Sequence, residues 1–481
     1  MLILAAALWV AVNNPKDDVA WLVYVAQEFL HGKVLYVDLI EINPPLIVLL
    51  LAAPTSIAMA LGWPALSVFM VACAALLLGC IASAAELLRS YSPVFRHRLR
   101  TMAVIAAVFS LVPGPEFGQR EHLATALVLP FLALLALRLQ EGRIGAIRAG
   151  AIGVAAGVGF SIKPHYLVAF VLLELFAVAR GLRGFRPETL AVIFFALGYG
   201  IVILAFFPAY IGDTVPLALR FYGASDASLA RVLAGARYVI LGGAVAMALV
   251  AAGIGRQSRE PLFLVLLIFA LGGALAYLVQ DKGWFYHRLP SSIAVALALL
   301  YWTAEALWGE NAPRRSDRLA LSGAACALGA LGAVAMERWT DSVEAALHPE
   351  RTDVQRLAIL VRNDKITSLL ALSDTLSPAF PVINETGIEW SSRFGTMWAL
   401  RGEVWRERRG EIDASLPRIR QLVVDDFVAQ RPAAVLVDDH AQVDYLREFA
   451  ASPVFAQAWT AYRLRGVTGG RRLFERRPEA E

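Results

Sequence analysis

The sequence predicts a mainly α-helical, polytopic membrane protein with about eleven transmembrane helices, interfacial helices in its first outer loop and a C-terminal extracytoplasmic α/β domain. Three observations carry that reading. The 481 residues are 58% hydrophobic and only 17% charged, against roughly 45–50% and about 25% in soluble chains. The apolar residues come in long blocks separated by polar loops as far as residue 336. Beyond that point the blocks stop and amphipathic segments take over. The composition excludes collagen-like, disulfide-rich and disordered chains. A net charge of +4 would suit nucleic acid, but most arginines sit in short loops between apolar blocks, where they orient a chain in a bilayer. No nucleic-acid partner is expected.

The apolar blocks are 2–13, 64–88, 101–113, 122–139, 149–162, 165–179, 189–210, 236–254, 261–280, 289–308 and 319–336. Several fall short of the roughly 20 residues that a spanning helix needs, so their ends must recruit loop residues. The first block is read as a helix rather than a signal peptide, because Ala11-Val12-Asn13-Asn14 lacks a small-x-small cleavage site. Gly153 and Gly157 lie inside one block and read as helix packing, not as a nucleotide loop. Cys73, Cys80 and Cys326 all lie in apolar runs without a CxxC pair, so neither a thiolate metal site nor a disulfide framework is indicated. The absence of HExxH and GxxxxGK[ST] argues against a zinc protease and a P-loop ATPase.

Arginine placement sets the orientation. One alternate set of loops holds Arg89, Arg96, Arg98 and Arg100, then Arg138, Arg143 and Arg148, then Arg180, Arg183 and Arg186, then Arg256 and Arg259, and last Arg314, Arg315 and Arg318. The positive-inside rule makes these loops cytoplasmic, with the N-terminus inside and everything after residue 336 on the outer face. The expected domains are therefore a membrane domain over 1–336, whose first outer loop is 14–63, and an outer domain over 337–481. In the outer domain, 351–362 and 412–430 read as amphipathic helices, while 367–372 and 434–437 are short apolar runs. Residues 462–465 and 471–476 form a hairpin around Gly469-Gly470, a pair suited to the positive φ angles of a tight turn. Asp438-Asp439-His440 is read as a strand-ending turn, and 378–381 with 390–393 as the domain's contact with the membrane region.

The outer loops hold most of the unusual residues. In the first, Asn14 caps a helix with Pro15 at its first position, and Gly32 ends it. Asp17, Trp21, Tyr24 and Glu28 make one stripe along it, and its mixed surface suits a helix lying in the interface. Asp17 and Asp18 in a first turn would complement the helix dipole in any protein. Here Glu41 and Pro44-Pro45 follow in the same loop, which favours a catalytic or ligand-binding carboxylate.

An acidic residue just after the first membrane helix, a helix ending in Gly, and an acidic residue shortly before Pro-Pro-Leu together resemble the GT-C glycosyltransferases, in particular those using polyprenyl-phosphate sugars, such as protein mannosyltransferases and the aminoarabinose transferase of lipid A. The matching residues are Asp17 (or Asp18), Gly32, Glu41, Pro44, Pro45 and Leu46. One departure is Asn43, where several relatives carry a basic residue before the proline. The resemblance implies a multi-pass inner-membrane enzyme with a periplasmic C-terminal domain, moving a sugar from a polyprenyl-phosphate donor to a glycan, lipid or protein acceptor. Asp17 would be the base, with Asp18 as its alternate and Glu41 assisting. A divalent metal ion is the one cofactor that this chemistry admits, and no nucleotide cofactor is expected.

Phosphate contacts must come from other loops. Glu116 and Arg120 lie between two apolar blocks on the outer face. Lys163, His165 and Tyr166 join two blocks with almost no loop, at a depth where ionisable groups are costly without partners. Lys282, Trp284, Tyr286, His287 and Arg288 form the densest polar cluster of the chain. Lys163, Lys282, His287, Arg288 and Arg120 are the candidate phosphate ligands. Trp21, Tyr24, Glu116, His165, Tyr166, Trp284 and Tyr286 are candidate substrate contacts. Two rivals stay open: a polymerase or ligase taking a lipid-linked oligosaccharide, and a non-catalytic lipid or glycan transporter, although no internal symmetry supports the latter.

Overall fold

The computed structural model describes residues 2–254, 256–308, 315–412 and 418–477. The expected cytoplasmic Arg314 and residues 413–417 of the expected 412–430 helix lie outside them. The described chain is mainly helical, with one small sheet near the C-terminus. Among the described residues seven helices are long and apolar enough to cross a membrane: Ala65–Leu88, Arg120–Leu139, Pro187–Phe206, Leu229–Ala251, Pro261–Gln280, Phe285–Trp308 and Arg318–Leu347. The other four expected spans form helices in the expected places, Leu2–Asn13, Arg98–Leu111, Ala146–Ile162 and Pro164–Ala179, but each is shorter. At 1.5 Å per residue, the 12 residues of Leu2–Asn13 reach only about 18 Å of a hydrocarbon core about 30 Å thick. The last helix was expected to stop at 336 and instead runs unbroken to Leu347. Its polar extension is anchored by Trp339, whose Nε1 donates to Leu111 O at 3.2 Å, and by Arg338, which donates to Glu116.

The chain divides into two compact units, neither contiguous in sequence. One gathers Met1–Val12, Met70–Val202 and Ala227–Glu344; the other gathers Asn13–Phe69, Ile203–Asp226 and Ala345–Glu481. The first loop thus groups with the C-terminal segment.

In the helical unit, small residues let helix backbones approach closely. A Cβ on Gly153 would come within 2.3 Å of Glu188 O, and one on Gly157 within 2.8 Å of Phe195, so both serve helix packing as expected. Gly272 abuts Ala169, and Ser291 donates to Ala270 O at 2.8 Å, fastening Pro261–Gln280 to its neighbours on two sides.

In the second unit the strands are β1 (Ser368–Leu372), β2 (Glu389–Trp390), β3 (Ala434–Asp438), β4 (Tyr462–Thr468) and β5 (Arg471–Arg476). Their order is β2-β1-β3-β5-β4, with β1 parallel to β2 and β3, and β5 antiparallel to β3 and β4. The hairpin turns at Gly469 and Gly470, with φ of 53° and 72°, as the Gly-Gly pair predicted. Helices Trp398–Arg408 and Arg418–Gln430 close a core with Leu370, Leu372, Val435 and Phe427. Asp438 ends β3 by accepting from Ser373 Oγ at 2.8 Å and from His440 N at 3.0 Å, consistent with a strand-ending turn.

Candidate functional site

The polar residues of the helical unit converge where four chain breaks meet. Helix Ala146–Ile162 ends because Pro164 forces Lys163 into extended backbone (φ −133°, ψ 110°). Helix Pro261–Gln280 ends at Asp281, which takes φ 50°, followed by Gly283 at φ 67°. A short 3-10 turn, Phe285–Arg288, then leads into the next helix. Helix Arg120–Leu139 starts behind Gln119, with Arg120 and Glu121 in its first turn.

These breaks place Glu121, completely buried, at the centre. Its Oε1 pairs with Lys163 Nζ and lies 3.9 Å from His287 Nε2. Lys163 also donates to Gln280 Oε1 at 3.2 Å. The Tyr286 ring faces two cations, with Arg120 5.8 Å and Lys163 5.5 Å from its centroid. Tyr166 donates its hydroxyl to His287 O at 3.3 Å, which fixes the 285–288 turn. His165 packs beside Tyr166 at 4.9 Å, and Trp284 lies 5.3 Å from His287, itself 36% exposed. The field of Lys163, Arg120 and Lys282 falls on the His287 ring. Arg120, Lys163 and Lys282 are all buried. Three buried cations therefore act on His287, and one of them, Lys163, pairs with Glu121. Taking charges out of water costs several kcal/mol per ion unless counter-charge is supplied. Glu121 Oε2, His287 Nδ1 and His165 Nε2 have no hydrogen-bond partner among the described residues.

Two of the expected site residues lie beside Arg338. Arg288 lies over the Phe285 ring at 4.5 Å, and Arg338 lies over the same ring at 3.9 Å. Glu116 accepts from Arg338 at 2.7 Å and from Gln119 at 3.3 Å. Glu121 stood out in the sequence only as one of the polar residues of the 114–122 loop, without a role, and Gln280 and Arg338 were missed as site residues. Their one sequence signal was polarity at the ends of apolar helices, which a helix cap or a membrane-interface residue also gives.

The other unit holds the first-loop residues. The loop's helix spans Asp17–Leu30 and is capped by Lys16, without a side-chain hydrogen bond. The expected cap at Asn14 and the expected first position for Pro15 are therefore two residues too early, since Asp17 and Asp18 already fill the first turn. The C-terminal end is as expected. Gly32 (φ 98°) donates to Phe29 O at 3.1 Å and Lys33 to Glu28 O at 3.0 Å, a Schellman closure. Residues 19–26 are buried all round rather than showing a polar face. Phe380 covers Trp21 and Tyr24 at ring distances of 5.2 and 5.4 Å, and Trp390 packs behind Phe380. Asn384 Nδ2 donates to Ala20 O at 3.1 Å.

Glu41 is buried and fully engaged. Its Oε2 accepts from Trp21 Nε1 at 2.5 Å, and its Oε1 accepts from Asn43 N at 2.9 Å and also from Asn43 Nδ2. Asn43, at the position where a basic residue was anticipated, thus serves the carboxylate. The loop is pinned further by Ile40 N donating to Arg393 O at 2.7 Å, with Arg393 held by Asp426. Asp17 differs. Its side chain is 23% exposed, with Lys16 Nζ at 3.4 Å and Asp18 N donating to Oδ1 at 3.0 Å. Desolvation raises its carboxyl above the ordinary range, Asp18 adds to the rise, and Lys16 opposes it.

Among the described residues no three His, Cys, Asp or Glu side chains group so as to hold a metal ion. The donors among the described residues do not fit one. No protein-family model matches the chain, and no curated protein matches it.

Proposed function

We propose that the chain is an inverting membrane glycosyltransferase of the GT-C type, moving one sugar from a polyprenyl-phosphate carrier to a glycan, lipid or protein acceptor. The reading places it in the cell inner membrane with eleven crossings, Leu2–Asn13, Arg98–Leu111, Ala146–Ile162 and Pro164–Ala179 completing the set, the N-terminus cytoplasmic and the C-terminal domain periplasmic. The observation that carries it is the buried gathering of Arg120, Lys163 and Lys282 about Glu121 and His287. Buried cations at the ends of apolar helices suit an anion that arrives on a lipid. A phosphate is the leaving group that such a cluster stabilises.

In the reaction, the acceptor oxygen forms a bond to the sugar's anomeric carbon. The bond from that carbon to the phosphate oxygen breaks, and its electron pair leaves with the phosphate. The acceptor hydroxyl's proton passes to the Asp17 carboxylate. A carboxyl raised by burial is a stronger base than a solvated aspartate, and a positioned base contributes about 10²–10⁴-fold. The rate should fall as pH drops through the raised Asp17 value, so the acid limb lies above the ordinary value of about 3.9. An acid limb at or below that value would remove Asp17 as the base.

Two experiments test the reading. Asp17→Asn should abolish transfer while the protein still inserts and folds, and retained turnover would take Asp17 out of the mechanism. Mass spectrometry of prenyl-linked sugars should show one of them accumulating in cells without the protein.

A further inference from the structure

We infer that the helical unit carries a second lipid site, distinct from the cation cluster, that seats one chain of an anionic phospholipid with its headgroup on Arg100. The site is a cavity of about 280 Å³ among helices Ala65–Leu88, Arg98–Leu111, Arg120–Leu139, Pro261–Gln280 and Leu289–Trp308. Its walls are apolar side chains such as Val104, Leu132, Leu266 and Leu300, with Phe95 and Tyr301 stacked at 5.5 Å along one side. Along the Arg120–Leu139 helix, the first lining residue is Leu129, nine residues beyond Arg120. At 1.5 Å per residue that is roughly 14 Å from the cluster.

What identifies the occupant is the charge at the rim. Arg100 lines the cavity, and one Nη donates to Val94 O at 2.7 Å, which holds the guanidinium there. A guanidinium has five N–H donors, and among the described residues Arg100 has no carboxylate partner. Arg89 and Arg96, exposed nearby in the chain, also lack one, while Arg98 pairs with Glu86 at 3.5 Å. The carboxylate on the Tyr301 side, Glu305, is already hydrogen-bonded by Ser92 Oγ. An apolar slot between membrane helices with an unneutralised arginine at its mouth matches a lipid whose tail is hydrocarbon and whose head is a phosphate diester. Neither a water-soluble anion nor a neutral lipid uses both halves of the site.

The test uses the full chain, reconstituted with equal amounts of phosphatidylglycerol and phosphatidylcholine of matched chains, then extracted into detergent and read by native mass spectrometry. Wild-type protein should retain about fivefold more phosphatidylglycerol, the ratio that one arginine at a lipid headgroup supplies. Arg100→Gln, at an exposed side chain, should equalise the two lipids while hydrocarbon binding persists. Ala304→Trp, which fills the cavity from the Leu289–Trp308 helix, should lose both lipids with an unchanged circular dichroism spectrum. Equal retention by the wild type, a preference that survives Arg100→Gln, or a folded Ala304→Trp protein that still holds phosphatidylglycerol would each overturn the site. If Ala304→Trp does not fold, the wild-type and Arg100→Gln comparison decides alone.

Discussion

Two of the buried carboxylates, one in each unit, differ in what surrounds them. Glu121, in the helical unit, pairs with Lys163, lies near His287, and leaves Oε2 without a hydrogen-bond partner among the described residues. Glu41, in the unit built around the sheet, meets neutral donors among the described residues, from Trp21 and Asn43, and both its oxygens are engaged. Burial is almost the same, 0% against 3% exposed, so burial alone does not separate the roles. The partners do. A carboxylate held by indole and amide N–H groups is a staple for the loop, fixing Trp21 against residue 41. A carboxylate among cations with an unspent oxygen is an electrostatic group, adjusting how much positive charge the cluster offers. Residue type and burial together therefore say less about function than the charge of what surrounds the group.

The largest expected effect comes from breaking the charged pair. Lys163→Met leaves Glu121 buried without its cation, which should destabilise the protein by about 3–5 kcal/mol. Thermal unfolding in detergent measures it, and adding Glu121→Gln should recover most of the loss. Equal stability of the single and double variants would show that Glu121 does not depend on Lys163. Next comes the staple. Glu41→Ala strands Trp21 Nε1 and the Asn43 donors, at about 1–3 kcal/mol, and should leave unchanged the prenyl-phosphate binding proposed for the helical unit. A loss of that binding with unchanged stability would instead return Glu41 to the substrate. A similar effect, about 1–3 kcal/mol, is expected for Gly153→Val, because the added atoms meet Glu188 O. Native stability in that variant would show that the helix Pro187–Phe206 can move aside. The smallest effect is Glu41→Gln, which keeps the side chain's shape and loses only charge from hydrogen bonds to neutral donors. A change below about 1 kcal/mol is expected, whereas Glu121→Gln alone should alter phosphate binding measurably.

Much of the organisation was legible in the sequence, and the places where it was not share a cause. The hairpin at Gly469-Gly470 and the helix end at Gly32 are local, needing only residues that tolerate positive φ. The apolar blocks announced helices correctly, but hydropathy alone could not set their ends, as the run to Leu347 shows. The same limit applied to the first-loop helix. Its stripe of Asp17, Trp21, Tyr24 and Glu28 suggested a half-exposed surface, yet Phe380 and Gly395 cover it from a segment more than 350 residues away.

For the candidate site, the residue types at 120, 163–166 and 282–287 drew attention because charge and aromatic side chains are expensive beside apolar blocks. That argument selects residues without pairing them. It could not tell that Arg288 turns to Phe285 and Arg338, that Tyr166 serves the main chain of His287, or that Glu121 is the centre of the group.

The sequence by itself determined where eleven apolar segments form helices, where the sheet begins, and which turns close, because each depends on neighbours within a few positions. Only the tertiary structure decided which carboxylate meets which cation. Electrostatic pairing acts over a few ångströms of space, and Lys163 and Glu121, like Trp21 and Glu41, are brought to that range by helix packing and chain reversal rather than by their spacing along the chain.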